Sequence, residues 1–481
     1  YTLSLHDALP ICYDAARRTL EQHHQQHLLA FWDQLDAGQR EQLLAQIEAI
    51  DWNQIDRLIE SHVRDKTAFD LPQDLKPAPY YPKDPTADMA EKYLRARETG
   101  EKLLRDGKVA CFVVAGGSGT RLGWSGPKGT FPATPITGKP LFQVFAEGIR
   151  KNEQKYGRII PWLVMTSPAN DARTRTFFQE HDYFGLTPEQ VIFFAQGTMP
   201  SIGREGRVLL AAKDELALNA DGHGGSLRAI HKSGALARLR EQGIEQISYF
   251  QVDNPTVYVI DPVFIGLHVL DGAQMSSKMV AKNYGTEKLG NFCLIDGKMT
   301  IVEYSDLPVE LAEQRLDDGE LRFRAGSPAI HVIEVEFIEQ LNAGGQLKLP
   351  YHRADKKVPY VDPRSGDYVE PNQPNAVKLE QFVFDALPLT EQSIILQTTR
   401  EEEMAFIKNA EGESSPATSK QYQADRAARW LATHGVDVPG PDAEGHYDCT
   451  IELSPLTAVE PADLADVDLP DRIEPKSSVQ L

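Results

Sequence analysis

The residues best equipped for chemistry are Ala115-Gly116-Gly117-Ser118-Gly119-Thr120-Arg121-Leu122-Gly123, with Pro127-Lys128 close behind. Consecutive glycines at the end of a strand let the backbone approach a phosphate chain, because no Cβ blocks it and φ > 0 is accessible. Amide N–H groups then face the anionic oxygens. Arg121 adds a guanidinium fork and Lys128 a point charge. Two commoner phosphate loops fail on spacing. A P-loop needs Gly-Lys-[Ser/Thr], but Lys128 follows Pro127 and precedes Gly129; a dinucleotide fingerprint needs G-x-G-x-x-G, and after Gly117 and Gly119 the next glycine comes one position late. The bland alternative is a tight turn with incidental basic residues, and Arg121 together with Pro127-Lys128 after a buried strand argues against it.

Other segments carry usable groups. Asp253 follows the apolar run Ile247–Val252, and a carboxylate at the end of a central strand suits a hard, oxygen-ligated Mg²⁺ that also takes phosphates and waters. Such an Asp is also a common strand-end cap. Gln196 offers an amide that can pair with a donor and an acceptor at once. Asp221-Gly222-His223-Gly224-Gly225 reads as a second glycine loop or as a turn between helices. No Ser or Cys nucleophile arrangement is visible.

These groups need a frame. Val109–Ala115, Ile160–Met165, Val191–Phe194, Ile247–Val252 and Met279–Ala281 read as buried strands; Thr174–His181 and Ala229–Gln242 read as helices between them. Alternation of this kind predicts an α/β fold with a mostly parallel sheet, and ligands of such sheets sit at the carboxyl ends of the strands. The spacing of Leu20, Leu28, Phe31, Trp32 and Leu35, then of Leu43, Leu44, Ile47 and Ile50, predicts helices up to about Ile59. A Pro-rich connector and a helix through Tyr93 and Leu104 follow. The expected organisation is an N-terminal helical region (12–100), a catalytic domain (101–395) and a small C-terminal domain (396–481) with a strand-like Asp448–Leu453. Residues 1–11 lack the basic and apolar regions of a signal peptide. They read as a foreign segment of the sort a translated cloning scar leaves.

Bulk properties narrow the partners. With 41% hydrophobic and 25% charged residues the chain is ordinary for a globular cytosolic protein. A formal charge of −20 without a basic stripe argues against nucleic acid. No apolar run reaches the roughly 18–20 residues that span a bilayer, so no membrane partner is expected. Cys12, Cys111, Cys293 and Cys449 are scattered without metal-site spacing, which fits a reducing cytoplasm.

The segment from Gly116 to Lys128 closely resembles the signature G-G-x-G-T-R-[L/M]-G-x-x-x-P-K of sugar-1-phosphate uridylyltransferases, and in particular the eukaryotic-type UDP-N-acetylglucosamine pyrophosphorylases. The resemblance runs from His27–Leu35 to Ile451-Glu-Leu-Ser-Pro455. It implies a Rossmann-like, GT-A-like nucleotidyltransferase fold and a Mg²⁺-dependent reaction of UTP with a sugar 1-phosphate, giving a UDP-sugar and pyrophosphate. It also implies roles for particular residues. Arg121, Lys128 and Lys408 (in Phe406-Ile-Lys408-Asn-Ala) would neutralise the phosphates, and Asp253 would hold the metal. Ala115, Gly116, Gly117, Gln196, Gly222 and His223 would line the nucleotide, with Gln196 reading the uracil edge. Gly290, Glu303, Ile330, Phe382 and Phe384 would face the sugar, Glu303 accepting from its hydroxyls. For the two Phe residues, plain core packing is the alternative.

Three departures concern the sugar and the chain's end. His223 replaces the Asn usual in the N-acetylhexosamine enzymes and is more like the glucose 1-phosphate branch. Ile330, in Gly326-Ser-Pro-Ala-Ile330-His331, stands where that family carries an Asn near the acetamide. The stretch after Ser454-Pro455 is shorter than the family's usual tail. Either N-acetylglucosamine 1-phosphate or glucose 1-phosphate is therefore expected as acceptor. Two other readings are a non-catalytic UDP-sugar sensor and an NAD-dependent oxidoreductase. The glycine spacing opposes the second, and the joint presence of Arg121, Lys128, Asp253 and Lys408 opposes the first.

Overall fold

A computed structural model describes residues 12–65, 71–72, 74–345 and 347–481. Residues 1–11, read above as foreign, lie outside the described residues. Two compact units are present, each assembled from separated stretches. Unit one comprises the described residues of Tyr1–Asp70 with Gly197–Gly225 and Leu349–Val383; unit two comprises Leu71–Gln196, Ser226–Lys348 and Phe384–Leu481. The units therefore cut across the expected boundaries at 100/101 and 395/396. Long-range pairing draws insertions from the middle of the chain onto the N-terminal helices.

Unit two is built on an eleven-stranded mixed sheet. Its strands are β1 (Lys76–Pro77), β2 (Val109–Val114), β3 (Trp162–Thr166), β4 (Val191–Ala195), β5 (Gln246–Gln251), β6 (Met275–Ala281), β7 (Asn291–Ile295), β8 (Lys298–Val302), β9 (Ala325–Gly326), β10 (His331–Glu334) and β11 (Ile395–Gln397). The order is β1-β7-β9-β6-β10-β5-β2-β3-β4, with β8 on β7 and β11 on β6. The run β5-β2-β3-β4 is parallel, whereas β10 runs antiparallel to both its neighbours. Val-Ala-Cys-Phe-Val of β2 is wholly buried, as expected of a strand covered on both faces.

Helices α1 (Ala90–Arg105), α2 (Leu141–Tyr156), α3 (Asp171–Glu180), α4 (Pro262–Leu270) and α5 (Pro416–Thr433) pack in this unit. Asp261 starts α4, its Oδ1 accepting from Val263 N and Phe264 N, with Pro262 as the first helical residue. A Cβ added at Gly266 would lie 1.7 Å from Ala96 O, and one at Gly100 1.9 Å from Pro262 O. These two glycines let α1 and α4 cross backbone to backbone. One expected helix differs. The helix expected over Ala229–Gln242 is broken at Gly234 (φ +78°) into Gly225–Lys232 and Ala235–Glu241. The polar C-terminal stretch contains α5, whose start is capped by Ser415 and Thr418, and a small apolar core around Trp430, Leu431 and Ile451.

Unit one packs the helices Tyr13–Gln22, Ala37–Glu48 and Trp52–Leu58 over short β pieces, including the sheet of Ile202–Gly203, Ala376–Glu380 and His352–Lys356. Leu28, Phe31, Leu43 and Leu58 share its core with Ile202 and Val377. The helix expected through His27–Leu35 is instead two short 3-10 turns, Gln26–Leu29 and Trp32–Gln34. The chain reverses at His24 (φ +57°), and the side chains of Gln25 and His27 bond to backbone groups of Gly206 and Val208. Among the described residues, no helix is long and apolar enough to cross a membrane.

Candidate active site

The glycine loop leaves β2 at its carboxyl end, where Ala115 is buried and its N–H donates to Met165 O (2.8 Å). The loop folds back on itself: Lys128 N donates to Gly117 O (3.1 Å) and Gly119 N to Gly126 O (3.0 Å). Asn170 Nδ2 donates to Ala115 O (3.1 Å) and Gly117 O (3.3 Å), pinning the loop from α3's start. Of the loop's glycines only Gly123 uses positive φ (+68°), where it ends the short turn Thr120–Leu122. The expected left-handed freedom is thus not what Gly116 and Gly119 supply. A Cβ at Gly116 would lie 2.2 Å from Gln196 Oε1, and one at Gly119 2.6 Å from Trp124 Cβ. Close approach is their reason. At Gly117 an added Cβ meets nothing within 4 Å, so its backbone borders open space. Arg121 is exposed and forms no ion pair among the described residues.

Asp253 sits just past β5, adjacent to β2 in the sheet, and is buried. Lys128 Nζ lies 3.3 Å from its Oδ2. Its Oδ1 is buried and has no hydrogen-bond partner among the described residues. An orphaned carboxylate oxygen of this kind is costly unless something cationic or protic fills the place. No group of three or more His, Cys, Asp and Glu is arranged to hold a metal ion among the described residues. One carboxylate with a spare oxygen fits Mg²⁺, which usually keeps several waters and binds through one or two carboxylates plus substrate phosphates.

Asn254, buried at 2% exposure, was not singled out from the sequence. Its Nδ2 donates to Glu403 O (2.6 Å), and its Oδ1 accepts from Ala405 N (3.2 Å) and Thr256 Oγ1 (3.0 Å). Ile407 N donates to Asp253 O (2.8 Å). Asp253-Asn254 thereby clamps the segment that carries Lys408. Lys408 itself is exposed, with Nζ 3.9 Å from the centre of the Phe406 ring. Behind the clamp, the buried Lys278 ammonium pairs with Asp261 (2.7 Å) and with the fully buried Glu403. Burial works against its charge, but the two carboxylates outweigh that and raise its pKa. The only hint of the clamp in the sequence was Asn254-Pro255, a turn signal.

The residues expected at the sugar divide. Gly290 borders Glu303: a Cβ there would be 3.5 Å from Glu303 Oε1 and 2.6 Å from Ile301 Cγ2. Ile330, however, belongs to the main apolar core with Phe264, Val332 and Leu396 and is 3% exposed. Ser327 is the residue of that segment that reaches Gly290, its N–H donating to Gly290 O (2.9 Å). Hydrophobic burial draws the branched Ile side chain inward. Phe384 is buried.

In unit one, Gly222 (φ +86°) and Gly224 lie against the backbone at Gln381, and Gly224 N donates to Gln381 O (2.8 Å). His223 Nδ1 accepts from Val383 N (3.1 Å), and its ring stacks on Phe382, which also stacks with His352 (centroids 4.4 Å apart). Burial, then the nearby His352, pushes the His223 pKa down to about 4. The neutral ring keeps its proton on Nε2. His352 carries no sequence motif and was missed.

Family membership places the chain among nucleotidyl-transfer enzymes: residues 40–411 match the family described as UTP--glucose-1-phosphate uridylyltransferase, and the chain belongs to it. Within that family the similarity extends over nearly the whole chain. UDP-N-acetylhexosamine pyrophosphorylase-like protein 1 of Xenopus tropicalis is 35% identical over 92% of this chain and 92% of its own length. UDP-N-acetylglucosamine pyrophosphorylase of Saccharomyces cerevisiae is 33% identical over 86% and 90%. The crystal structure of the uridine diphosphate N-acetylglucosamine pyrophosphorylase from Trypanosoma brucei superposes with a TM-score of 0.79 at 27% identity, covering 96% of this chain and 97% of that one.

Proposed function

We propose that this chain transfers uridylyl from UTP to a sugar 1-phosphate, with N-acetylglucosamine 1-phosphate the foremost acceptor. The observation that carries the reading is the pairing of an open glycine backbone at Gly117 with Asp253, whose Oδ1 is unbonded and whose Oδ2 meets Lys128. Relatives named for N-acetylhexosamine or N-acetylglucosamine support the acceptor.

The acceptor's phosphate oxygen is already anionic near neutral pH, so no general base is needed. It attacks the α-phosphorus in line; a new P–O bond forms, the bond to the β-phosphate's bridging oxygen breaks, and pyrophosphate leaves with the electron pair. Catalysis then rests on positioning and charge neutralisation. In this reading Arg121, Lys128 and the Gly116-Gly117 backbone hold the triphosphate, and Lys408 approaches on the clamped segment. Gln196 reads the uracil, and Glu303 with Gly290 meets the sugar. The nucleotide-facing roles of Gly222 and His223, and the sugar-facing roles of Phe382 and Phe384, rest on the resemblance alone. Mg²⁺ held by Asp253 would screen the phosphate oxygens. Buried, unpaired thiols at Cys111, Cys293 and Cys449 support a reducing, cytoplasmic setting.

Glucose 1-phosphate is the second reading, favoured by His223. Pyrophosphate release from UTP, measured over a panel of sugar 1-phosphates with and without EDTA, tests both. Expected is Mg²⁺-dependent release, fastest with N-acetylglucosamine 1-phosphate. A glucose 1-phosphate preference would support the second reading, and no release with any acceptor would remove both.

A further inference from the structure

We propose that unit one carries an anion site apart from the active site: a groove between two arginine-bearing turns that takes a small ligand with two or more phosphate groups. The groove has a volume of about 400 Å³ and is lined by Arg204, Arg207 and Arg364 together with His27 and Tyr360. That volume lies in the ordinary range for small-molecule sites, roughly 300–1,000 Å³.

The charge is unusual for this molecule. The chain carries −20, and its arginines commonly meet carboxylates, as Arg353 meets Asp355 and Arg400 meets Glu287. Arg204, Arg207 and Arg364 are exposed and form no ion pair among the described residues. Two carboxylates, Glu205 and Asp362, also line the groove, but Asp362 Oδ1 already accepts from Arg364 N (2.8 Å). Three guanidinium forks against these two carboxylates leave the groove net positive, and this favours a phosphorylated ligand, since each fork can meet two phosphate oxygens.

The turns are held rigidly, which lowers the cost of binding. In the first, Gly203 N donates to Arg207 O (2.7 Å) and Gly206, at φ +80°, donates to Gly203 O (2.8 Å). Buried Gln25 grips this turn from below: Nε2 donates to Gly206 O and Oε1 accepts from Val208 N, both at 2.9 Å. His27 Nε2 adds a bond to Val208 O (2.7 Å). Arg204 N reaches Asn375 O (3.3 Å), and Asn375 is itself bonded through both side-chain atoms to Val358. The second turn is closed by Asp362 N to Asp367 O (2.9 Å) and Gly366 N to Asp362 O (2.8 Å). None of these contacts involves a residue assigned above to the transfer reaction.

Arginine footprinting with phenylglyoxal, read peptide by peptide by mass spectrometry, tests the site at the residues themselves. Inorganic tripolyphosphate, at matched ionic strength, should protect Arg204, Arg207 and Arg364 while leaving exposed Arg18 reactive. Arg204→Ala should keep the fold and raise the tripolyphosphate concentration that protects Arg207 and Arg364 by about tenfold or more, the scale of one charge-assisted contact. Protection should persist in the Asp253→Asn chain, which separates the groove from the active site. Equal protection of Arg18, loss of protection in Asp253→Asn, or protection by a poly-glutamate peptide but not by tripolyphosphate would each overturn the proposal.

Discussion

Adding one methyl group at Gly116 should disable the site without disturbing the sheet. The new Cβ of Gly116→Ala would lie 2.2 Å from Gln196 Oε1 and 3.3 Å from its Cδ. Ordinary contact begins near 3.4 Å, so the amide must retreat by about 1.2 Å. Misplacing a positioning group by about 1 Å can cost on the order of 10²-fold in rate, and overpacking costs about 1–3 kcal/mol in stability. The assay is steady-state pyrophosphate release, with kcat/KM for UTP compared to the parent chain and the thermal midpoint measured in parallel. Gly117→Ala is the contrast. Its Cβ meets nothing, so stability should hold while KM for UTP rises where the methyl invades the phosphate path. The double variant Gly116→Ala/Gln196→Ala removes the clash and should recover stability but not activity, a coupling that separate effects would not give. Parent-like kinetics in Gly116→Ala, or no recovery of stability in the double variant, would refute this account of the loop.

Three further outcomes are expected. Asp253→Asn should stay folded, lose roughly 10²–10³-fold in kcat and bind Mn²⁺ more weakly by electron paramagnetic resonance; parent-like Mn²⁺ affinity would take Asp253 out of the metal site. Asn254→Ala strands Glu403 O and Ala405 N, so it should cost about 1–3 kcal/mol and lower kcat as the Lys408 segment loosens. A fall in stability with kcat intact would mean that this segment does not serve transfer. His223 has a folded pKa depressed to about 4, against 6.5 in its ordinary state. The unfolded chain then binds the extra proton between those values, so this stability is complete above about pH 6.5 and is lost as pH falls toward 4. Thermal midpoints from pH 7 to 4 should fall less steeply in His223→Asn, and an unchanged slope would count against the buried neutral ring.

What could be read directly from the sequence was whatever depends on neighbours along the chain. The β2 run Val109–Val114, the glycine loop with Arg121 and Lys128, and Asp253 at the end of β5 are local patterns of polarity and spacing; the parallel pairing of β2 with β5, which brings loop and carboxylate to the same strand ends, belongs to the sheet. Even the reason for Gly116 was only half visible: a missing Cβ was legible, but its cause is Gln196, eighty residues away and two strands across the sheet. Ile330 shows the same limit from the other side. Its place in a motif was legible, and its burial against Phe264, Val332 and Leu396 is decided by the packed sheet. The Asn254 clamp, the stack of His223, Phe382 and His352, and the division into two discontinuous units likewise depend on segments far apart in the chain. Hydrogen-bond satisfaction and close packing are properties of the folded interior, and no spacing rule along a single segment encodes them.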